Sequence, residues 1–497
     1  VELKEAFNQI QRYQKHSFSG TLFEYTQLFV ISNGVNTKYF ANNPRQSFEQ
    51  TFFWTDHENR KISQLFEFTE AFLDKCFVSS IIGEYTVLAE AQQIPMVLRP
   101  YQYYAVQAIE KRVRETSKNG YIWHTTGSGK TLTSFKASQL LSQLPEIKKV
   151  LFVVDRKDLD IQTTKEFNSF SEGSVDGTSN TYNLVKQLKN NNPNKKLIVT
   201  TIQKLDRAIS RQHYLNQFEH LQDEKLVIIF DECHRSQFGL THSRIRHAFK
   251  NAQLFGFTGT PIFAKNNVGG VTTADVFEQC LHKYIITHAI DDHNVLGFAV
   301  EYVGKYKRKE PDTLEAEIFA DTDELVEGIN TKEVLESEQR LEMITDYILS
   351  DWKRKTKGGK FNALFATPGI DVLKRYYTLF KTKKPEDFKI ATIFTYQANE
   401  DDSADLLDTD FFAGENDEDS PGSPQSLHSR DFLENCIQDY NQLFGTNYST
   451  HRFYDYYKNL QKRIKSREVD LVLVVNMFLT GFDSPLLNTC LLYTSDA

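Results

Sequence analysis

From residue 95 onwards, short apolar runs alternate with stretches whose apolar residues recur at helical spacing. The run at 226–230 is apolar at every position, which is typical of a strand buried on both faces of a parallel sheet. Repeated alternation of this kind predicts an α/β fold in which right-handed crossovers join the strands of an open sheet. The predicted strands are residues 121–124, 150–155, 197–201, 226–231 and 254–258, and a helix is predicted at 132–144.

A second region with the same alternation follows a polar, helical connector at about residues 310–358. It contains predicted strands at 362–366, 389–394 and 470–476 and a predicted helix at 370–381. Residues 1–92 carry a helical pattern at 6–13, a predicted strand at 28–32, a turn at Asn33-Gly34 and an amphipathic helix at 66–77. For a chain of 497 residues we therefore predict three domains, at 1–92, 93–295 and 296–497.

The composition excludes several classes of protein. With 40% hydrophobic and 25% charged residues, the chain is closer to an ordinary globular protein than to a disordered or collagen-like one. No apolar run approaches the ~18 residues of a membrane helix, so we expect no membrane partner. The five cysteines form no CxxC pair, which argues against a zinc site or a disulfide framework and favours a reducing, cytoplasmic location.

The net charge of -8 alone would argue against binding to nucleic acid. Residues 390–429, however, hold ten acidic residues and no Lys or Arg, so removing them leaves +2 for the rest of the chain. We interpret the acidic stretch at about 399–425 as a solvated loop. Two basic clusters are then candidates for contacts with nucleic-acid phosphates: Arg244, Arg246 and Lys250, and Lys458, Lys462, Arg463, Lys465 and Arg467.

A glycine-rich segment, HTTGSGKT at 124–131, stands between a predicted strand and a predicted helix. Its glycines allow backbone N–H groups to point inwards at a phosphate, and the helix N-terminus adds a partial positive charge. In this pattern Lys130 would contact the β- and γ-phosphates of a nucleotide, and the Thr131 hydroxyl would ligate Mg²⁺. The segment departs from the pattern at its first position, where His124 replaces glycine. The predicted nucleotide-binding residues are Thr126, Gly127, Ser128, Gly129, Lys130 and Thr131.

Two acids, Asp231 and Glu232, follow the apolar run 226–230, about 100 residues after this segment. The carboxyl ends of parallel strands are where open α/β sheets bind ligands. Asp231 would hold Mg²⁺, and Glu232 would orient and deprotonate an attacking water. After the next predicted strand, Thr258 and Thr260 place hydroxyls beside this site, where they could sense the γ-phosphate and couple its loss to another domain.

In this order, HTTGSGKT (124–131), DECH (231–234) and TGTP (258–261) resemble the motifs of superfamily 2 helicases and translocases. The resemblance implies that the nucleotide is ATP and that Gln102, in the segment RPYQ (99–102), reads the adenine. It implies that His234 acts with Thr258 and Thr260 in coupling. It also implies that NMFLTGFD (476–483) contributes Gly481 and Asp483 from a second motor domain.

The set of motifs can be narrowed further. WHTTGSGKT (123–131), VVDRKDLD (153–160), DECHRSQFG (231–239), FTGTPIF (257–263) and MFLTGFD (477–483) together resemble the R subunit of type I restriction-modification enzymes. That resemblance implies an ATP-driven translocase on double-stranded DNA with an endonuclease, acting beside methyltransferase (M) and specificity (S) subunits. The implied fold is two RecA-like parallel-sheet motor domains, at 93–295 and 296–497, preceded by part of a PD-(D/E)xK α/β nuclease domain at 1–92.

The nuclease expectation depends on the first residues of the chain. By the resemblance, Glu2 and Lys4 form the ExK half of the nuclease motif, with Glu2 ligating Mg²⁺ and Lys4 positioning the water. Gln9 and Tyr13 match the QxxxY element that follows it. The bare pattern is not specific, because [D/E]xK recurs at 146–148, 155–157 and 223–225. We expect the chain to begin within a strand of this domain, to lack the motif that supplies an arginine finger, and to depart from the family pattern at 490–497.

Other functions remain open from the sequence. Another superfamily 2 motor, such as a type III restriction subunit or a remodelling ATPase, would carry the same motor motifs, although the nuclease residues and the segment 272–277 favour type I. The presence of Lys130, Thr131, Asp231 and Glu232 argues against a DNA-binding assembly subunit with a degenerate ATP site, but the expected lack of the arginine-finger motif keeps this alternative open. A metabolic P-loop kinase would not account for the second α/β domain.

Overall fold

The structure is a computed structural model that describes residues 2–154, 167–168, 176–177, 181–193, 195–233, 238–264, 271–303, 337–394, 424–475, 477–478, 482 and 484–493. The chain divides into two units, Val1–Val300 and Glu301–Ala497. The first unit contains the glycine-rich segment and the two predicted acids, and each unit has a parallel sheet of its own.

A parallel sheet of seven strands lies at the centre of the first unit. The described strands of this unit are β1 (Leu28–Ser32), β2 (Thr37–Ala41), β3 (Trp54–Thr55), β4 (Lys61–Ile62), β5 (Thr86–Ala89), β6 (Ile94–Val97), β7 (Gly120–His124), β8 (Lys149–Val154), β9 (Asp176–Gly177), β10 (Leu197–Thr201), β11 (Leu226–Phe230), β12 (Ala252–Thr258) and β13 (Cys280–Tyr284). The large sheet has the order β13-β7-β12-β11-β8-β10-β9, and every neighbouring pair in it is parallel. The five strands predicted in this region are confirmed, and β9 and β13 are additional.

Both faces of this sheet are buried, as the unbroken apolar run predicted. Val227 and Ile229 of β11 point into one hydrophobic core, whereas Leu226, Ile228 and Phe230 point into another. The described α-helices of this unit are α1 (Leu3–His16), α2 (Leu65–Phe72), α3 (Lys75–Gly83), α4 (Pro100–Glu115), α5 (Lys130–Gln143), α6 (Thr181–Lys189), α7 (Ile202–Ser210), α8 (Gln212–Leu215), α9 (Phe238–Ala248), α10 (Thr273–Phe277) and α11 (Ile286–Asp291). Short 3-10 helices lie at Leu22–Tyr25, Phe48–Gln50 and Glu219–Leu221.

The N-terminal region packs on the parallel sheet through a shared core. It contains three antiparallel hairpins, β1 with β2, β3 with β4, and β5 with β6. Trp54, Phe68 and Phe72 of this region lie in the same hydrophobic core as Val106 and Ile109 of α4. The N-terminal region and the sheet are therefore parts of one unit.

Two helices differ from the prediction. The amphipathic helix expected at 66–77 is instead α2 and α3, because the Asp74 carboxylate accepts the N–H of Phe77 at 3.0 Å and starts a new helix. The strand expected at the start of the chain is wrong, since α1 already begins at Leu3. A strand needs a neighbouring strand for its backbone hydrogen bonds, whereas a helix satisfies them internally. The apolar face of α1 packs through Phe7 on Ile31 and Phe40 of the first hairpin.

The second unit is built on a four-stranded parallel sheet. Its described strands are β14 (Asn362–Ala366), β15 (Ile390–Ile393), β16 (Leu471–Val474) and β17 (Leu487–Leu492), and its α-helices are α12 (Glu338–Lys355), α13 (Ile370–Lys383), α14 (Pro424–Phe444) and α15 (Phe453–Lys465), with a 3-10 helix at Thr450–Arg452. The strand order is β15-β16-β14-β17, with every pair parallel. The predicted strands and helix of this region are confirmed. Residues 490–492, which we expected to depart from the family pattern, pair with 364–366 of β14.

Two predicted segments fall largely outside the described residues. They are the connector, of which only α12 and the residues around it are described, and the acidic loop as far as residue 423. Among the helices that the structure describes, none has the length and the apolar character that a membrane crossing requires. The two parallel sheets with their helices confirm the predicted α/β fold class.

Candidate nucleotide site

The glycine-rich segment lies between β7 and α5, so residues 125–129 turn at the carboxyl edge of the sheet. Gly127 and Gly129 have φ angles of 80° and 75°, in the left-handed region that favours glycine. A Cβ at Gly129 would lie 2.8 Å from Gln102 Nε2, so a side chain at this position would displace the Gln102 amide from the loop. Because α5 begins at Lys130, its first N–H groups have no acceptor within the helix and are suited to bind an anion.

Lys130 and Glu232 form an ion pair beside this loop. Lys130 Nζ lies 2.8 Å from Glu232 Oε1, and the two side chains are 10% and 20% exposed. The Lys130 ammonium is shielded from solvent and finds no well-oriented hydrogen-bond acceptor among the described residues. A buried ammonium with unsatisfied N–H groups fits a phosphate oxygen as its ligand.

The two acids are positioned by the end of β11. The N–H of Asp231 donates to Val153 O at 2.9 Å, and the Asp231 carboxylate accepts the N–H of Glu232 at 3.1 Å. Glu232 has a φ of 48°, a conformation that costs about 1–3 kcal/mol for a residue with a side chain and that is concentrated at functional sites. The structure thus brings Lys130, Asp231 and Glu232 to the same edge of the sheet.

The oxygen donors at this edge fit a magnesium ion that is bound together with a nucleotide. Thr131 lies in the first turn of α5, next to Lys130, and Asp231 follows β11. Mg²⁺ prefers hard oxygen ligands and is usually held by one or two carboxylates together with substrate phosphates. Among the described residues, no group of three or more His, Cys, Asp or Glu side chains could hold a metal alone. A hydroxyl and a carboxylate are the set expected for a nucleotide-bound ion.

Gln102, the expected adenine reader, lies against the loop itself. It is 2% exposed, and its Nε2 donates to Ser128 O at 3.2 Å and to Gly129 O at 3.3 Å. Its Oε1 accepts the N–H of Arg99 at 3.0 Å. In this conformation the side-chain amide connects the start of α4 to the loop, and its contact with adenine stays a prediction.

The threonines after β12 pack beside the same loop. The Thr258 hydroxyl is buried and accepts the N–H of Thr260 at 3.0 Å. A Cβ at Gly259 would lie 3.3 Å from Thr126 N, so this segment approaches the loop backbone closely. Gly259 O accepts the indole N–H of Trp123 at 3.1 Å. The segment therefore lies against the loop, and its coupling role stays a prediction.

His124, at the first position of the loop pattern, has a partner that was not predicted. His124 Nε2 lies 2.9 Å from His282 Nδ1, and both rings are buried. Burial lowers the pKa of His124 well below its usual value and that of His282 to about 3, so both rings are neutral and one donates to the other. The edge strand that carries His282 has the sequence CLHKY, which lacks an apolar run. The signal that could have found it is His124 itself, since a buried imidazole requires a hydrogen-bond partner.

The predicted nuclease residues lie elsewhere in the first unit. Glu2 immediately precedes α1 and Lys4 lies in its first turn, and both side chains are exposed. One helical turn separates Gln9 from Tyr13, and the Gln9 amide donates to the Tyr13 hydroxyl. These four residues belong to the helix that packs on the first hairpin, apart from the nucleotide loop. The remaining predicted site residues, His234, Gly481 and Asp483, lie outside the described residues.

Three family models match separate parts of the chain. The model of the type I restriction enzyme R protein N terminus matches residues 1–48, and the SWI2/SNF2 ATPase model matches residues 101–339. The model of type I restriction enzyme subunit R domain 3 matches residues 359–494. The glycine-rich loop and both acids fall within the ATPase match.

Curated relatives match over nearly the whole chain. A type I restriction enzyme endonuclease subunit of Staphylococcus saprophyticus is 49% identical over 499 residues, covering 98% of this chain and 50% of the relative. A subunit of the same description from Staphylococcus aureus (strain MSSA476) is 46% identical over 498 residues, with the same coverage. The C-terminal part of such a subunit from Mycoplasma pneumoniae is 44% identical over 206 residues, 39% of this chain and 99% of the relative. The chain spans about half the length of the staphylococcal relatives.

Proposed function

The chain belongs to the family of type I restriction enzyme endonuclease subunits, and on this premise we propose that it hydrolyses ATP to translocate double-stranded DNA and contributes to its cleavage. One observation carries the ATPase part of the proposal. A glycine-rich loop places a buried ammonium, Lys130, beside the carboxylate of Glu232, whose backbone has a positive φ, at the carboxyl edge of a parallel sheet. Ligand sites in open α/β sheets lie at this edge.

In this proposal the loop amides, Lys130, Thr131 and Asp231 hold the triphosphate and its metal. When bound with ATP, Mg²⁺ would neutralise part of the charge on the β- and γ-phosphates. The start of α5 directs its free N–H groups at the phosphates, and Lys130 supplies a positive charge beside them. Thr131 and Asp231 supply the oxygen ligands.

Glu232 acts on the water in this proposal, and its ion pair with Lys130 makes that action depend on ATP. Without a phosphate, the Glu232 carboxylate is held by Lys130 at 2.8 Å. A γ-phosphate competes for the same ammonium, so ATP binding releases the carboxylate. The released carboxylate can then accept a proton from the attacking water. The Glu232 carboxylate therefore becomes available as a base only when ATP is bound.

The proposed DNA contacts are the three exposed lysines on one face of α15, Lys458, Lys462 and Lys465. Their spacing of four and three residues places them side by side along the helix. The neighbouring arginines of this cluster have acidic partners, Arg463 with Glu468 and Arg467 with Asp470 at 2.7 Å. In the other predicted cluster, Arg244 lies 3.0 Å from Asp206, so it is less available for a phosphate.

Duplex DNA is expected to stimulate ATP hydrolysis by the complete subunit assembled with its M and S partners. The variant Lys458→Ala/Lys462→Ala/Lys465→Ala should bind DNA at least about tenfold more weakly, and its salt slope should fall by nearly one unit per lost phosphate contact. Measuring duplex affinity from 50 to 200 mM salt, with ATP turnover in parallel, tests this. Lys353→Ala/Lys357→Ala/Lys360→Ala, which removes three exposed lysines elsewhere in the same unit, is the matched control. If DNA does not change the rate of ATP hydrolysis by the wild type, the motor proposal is contradicted.

The nuclease part of the proposal predicts that Lys4→Ala in the complete subunit abolishes DNA cleavage and leaves ATP hydrolysis within about twofold. The reason is that α1 packs in a different hydrophobic core from Ile122 and Phe135, which flank the nucleotide loop in the sequence, so we expect the change to leave Lys130 in place. Nicking of a plasmid and release of phosphate are measured on the same preparation. Lys15→Ala, an exposed lysine in the last turn of α1, should alter neither. Equal loss of both activities in Lys4→Ala would rule out a separable nuclease site.

Two further parts of the proposal follow from the family. The M and S subunits would supply methylation and sequence recognition, and the complex would work in the cytoplasm. Among the rival motors, type I is favoured because the match at residues 1–48 is to the N terminus of the type I R protein. A type III subunit or a remodelling ATPase would share only the motor region.

A further inference from the structure

We propose that Lys61, in the hairpin β3–β4 of the N-terminal region, is a positioning residue for the nucleotide loop. This inference rests on the proposed ATPase function. The hairpin comprises residues 54–62 and lies within the region that the sequence assigns to the nuclease domain. It contacts the end of the parallel sheet at β13 and α11, the elements that follow the motor motifs of the first unit.

Lys61 holds the segment after β13 through two contacts. Its Nζ lies 3.1 Å from Asp292 Oδ1 and donates to Asp291 O at 3.0 Å. The other carboxylate oxygen of Asp292 accepts the hydroxyl proton of Tyr284 at 2.9 Å. One carboxylate therefore joins the hairpin lysine to the last residue of β13, and the bridge fixes the direction of the Tyr284 ring.

Tyr284 in turn supports the nucleotide loop from two sides. Its backbone carbonyl accepts the N–H of Thr125, the first residue of the loop, at 2.9 Å. Its ring stacks on Tyr101 with a centroid distance of 3.6 Å and an interplanar angle of 11°. The Tyr101 hydroxyl donates to Ser128 O at 2.7 Å, in the middle of the loop. A continuous set of contacts thus runs from Lys61 through Asp292, Tyr284 and Tyr101 to Ser128.

A second set of contacts connects the same hairpin to the same loop. Asn59 Nδ2 donates to Lys283 O at 2.8 Å, next to Tyr284. The His57 ring lies 5.5 Å from the ring of His282, which is hydrogen-bonded to His124 at the start of the loop. Both sets cross β13, so the hairpin holds the edge strand that carries the loop's supports.

These contacts should matter for binding because the loop has little rigidity of its own. Two of its residues are glycines with positive φ, and the Ser128 carbonyl, in the middle of the loop, is held by the side chains of Tyr101 and Gln102 from α4. Loosening the hairpin would let the loop adopt conformations that do not fit phosphate. The apparent affinity for the nucleotide would then fall in proportion to the fraction of molecules whose loop is in the binding conformation. By linkage, phosphate binding must also stabilise the hairpin, so the N-terminal region senses the nucleotide.

The test is the affinity of the complete subunit for Mg-ADP and the KM and kcat for ATP in Lys61→Ala. We expect the Kd for ADP and the KM for ATP to rise about three- to fivefold, the effect of a partly exposed ion pair, with kcat unchanged within about twofold. Lys61→Arg should restore both values. Arg60→Ala is the matched control, because Arg60 is 72% exposed and pairs only within the hairpin, with Asp56 and Glu58, in the described contacts.

A double-variant cycle separates positioning from a general loss of stability. Tyr101→Phe removes the hydrogen bond to Ser128, so adding Lys61→Ala to it should cost less than in the wild type. A fall in kcat without a change in KM would mean loss of folded protein and would overturn the inference. So would a Lys61→Ala affinity equal to that of Arg60→Ala. Absence of ADP binding by the wild type, in contrast, would refute the proposed ATPase function itself.

Discussion

Glu232→Gln is expected to reduce ATP turnover by about 10²–10⁴-fold, the usual contribution of a general base. The same change should tighten ATP binding by about tenfold. In the wild type the phosphate has to displace Glu232 from Lys130, an ion pair at 2.8 Å that is largely shielded from water. A hydrogen bond between the Lys130 ammonium and a phosphate oxygen is worth about 1.5–3 kcal/mol, and without the competing carboxylate less of this free energy is lost on displacing Glu232. Opposite changes in binding and turnover are the signature of this site.

Binding of ATP under conditions that prevent turnover and single-turnover hydrolysis measure the two effects separately. Glu224→Gln is the matched control, since Glu224 is an exposed carboxylate just ahead of β11, at the opposite end of the strand from Glu232. It should leave both quantities unchanged. If Glu232→Gln binds ATP more weakly than the wild type, the proposed competition for Lys130 is wrong.

The central strands could be predicted because they consist largely of consecutive apolar residues, which indicate burial on both faces of a sheet. β11 is apolar at all five positions, and the structure divides those five side chains between two cores. The same reasoning located the candidate site. A glycine-rich turn after one buried strand and two acids after another must meet at the carboxyl edge of a parallel sheet. The 2.8 Å contact of Lys130 with Glu232 follows from that topology.

The edges of the structure could not be predicted in this way. β13 carries charged and polar residues, and it is a strand only because its backbone pairs with β7 and His282 meets His124. The break between α2 and α3 depends on one capping carboxylate, Asp74, within a pattern that is apolar on both sides. In each case a tertiary contact, absent from local periodicity, decides the local conformation.

The contacts of individual site residues could not be predicted for the same reason. The role of Gln102 in the segment RPYQ is predicted from the resemblance to superfamily 2 motors. That resemblance implies a contact with adenine when a nucleotide is bound, but it does not imply the contacts that Gln102 makes with the protein. The contacts of Gln102 with Ser128 and Gly129 come from the packing of α4 against α5, and no spacing in the sequence specifies them. The Lys61–Asp292 pair joins residues more than 200 positions apart and was equally inaccessible.

Lys130→Ala is expected to weaken ATP binding by about 10–100-fold, the worth of a charge-assisted hydrogen bond, and to lower turnover by about 10²–10³-fold. Lys130 provides a positive charge for the γ-phosphate, and its ammonium finds no well-oriented hydrogen-bond acceptor among the described residues. ATP binding by calorimetry and DNA-stimulated phosphate release measure the two losses. Lys118→Ala, which removes an exposed lysine shortly before β7, should cause neither.

The ion pair allows the loss of a ligand contact to be distinguished from misfolding. Lys130→Ala removes the cation that lies 2.8 Å from the Glu232 carboxylate, which is only 20% exposed, so the unfolding temperature should fall. Adding Glu232→Gln removes the charge of this carboxylate and should restore much of that temperature, whereas ATP binding stays weak because the ammonium is still missing. If the double variant recovers ATP binding together with stability, Lys130 stabilises the folded protein and does not contact ATP. If the double variant recovers stability but not ATP binding, Lys130 binds the nucleotide directly.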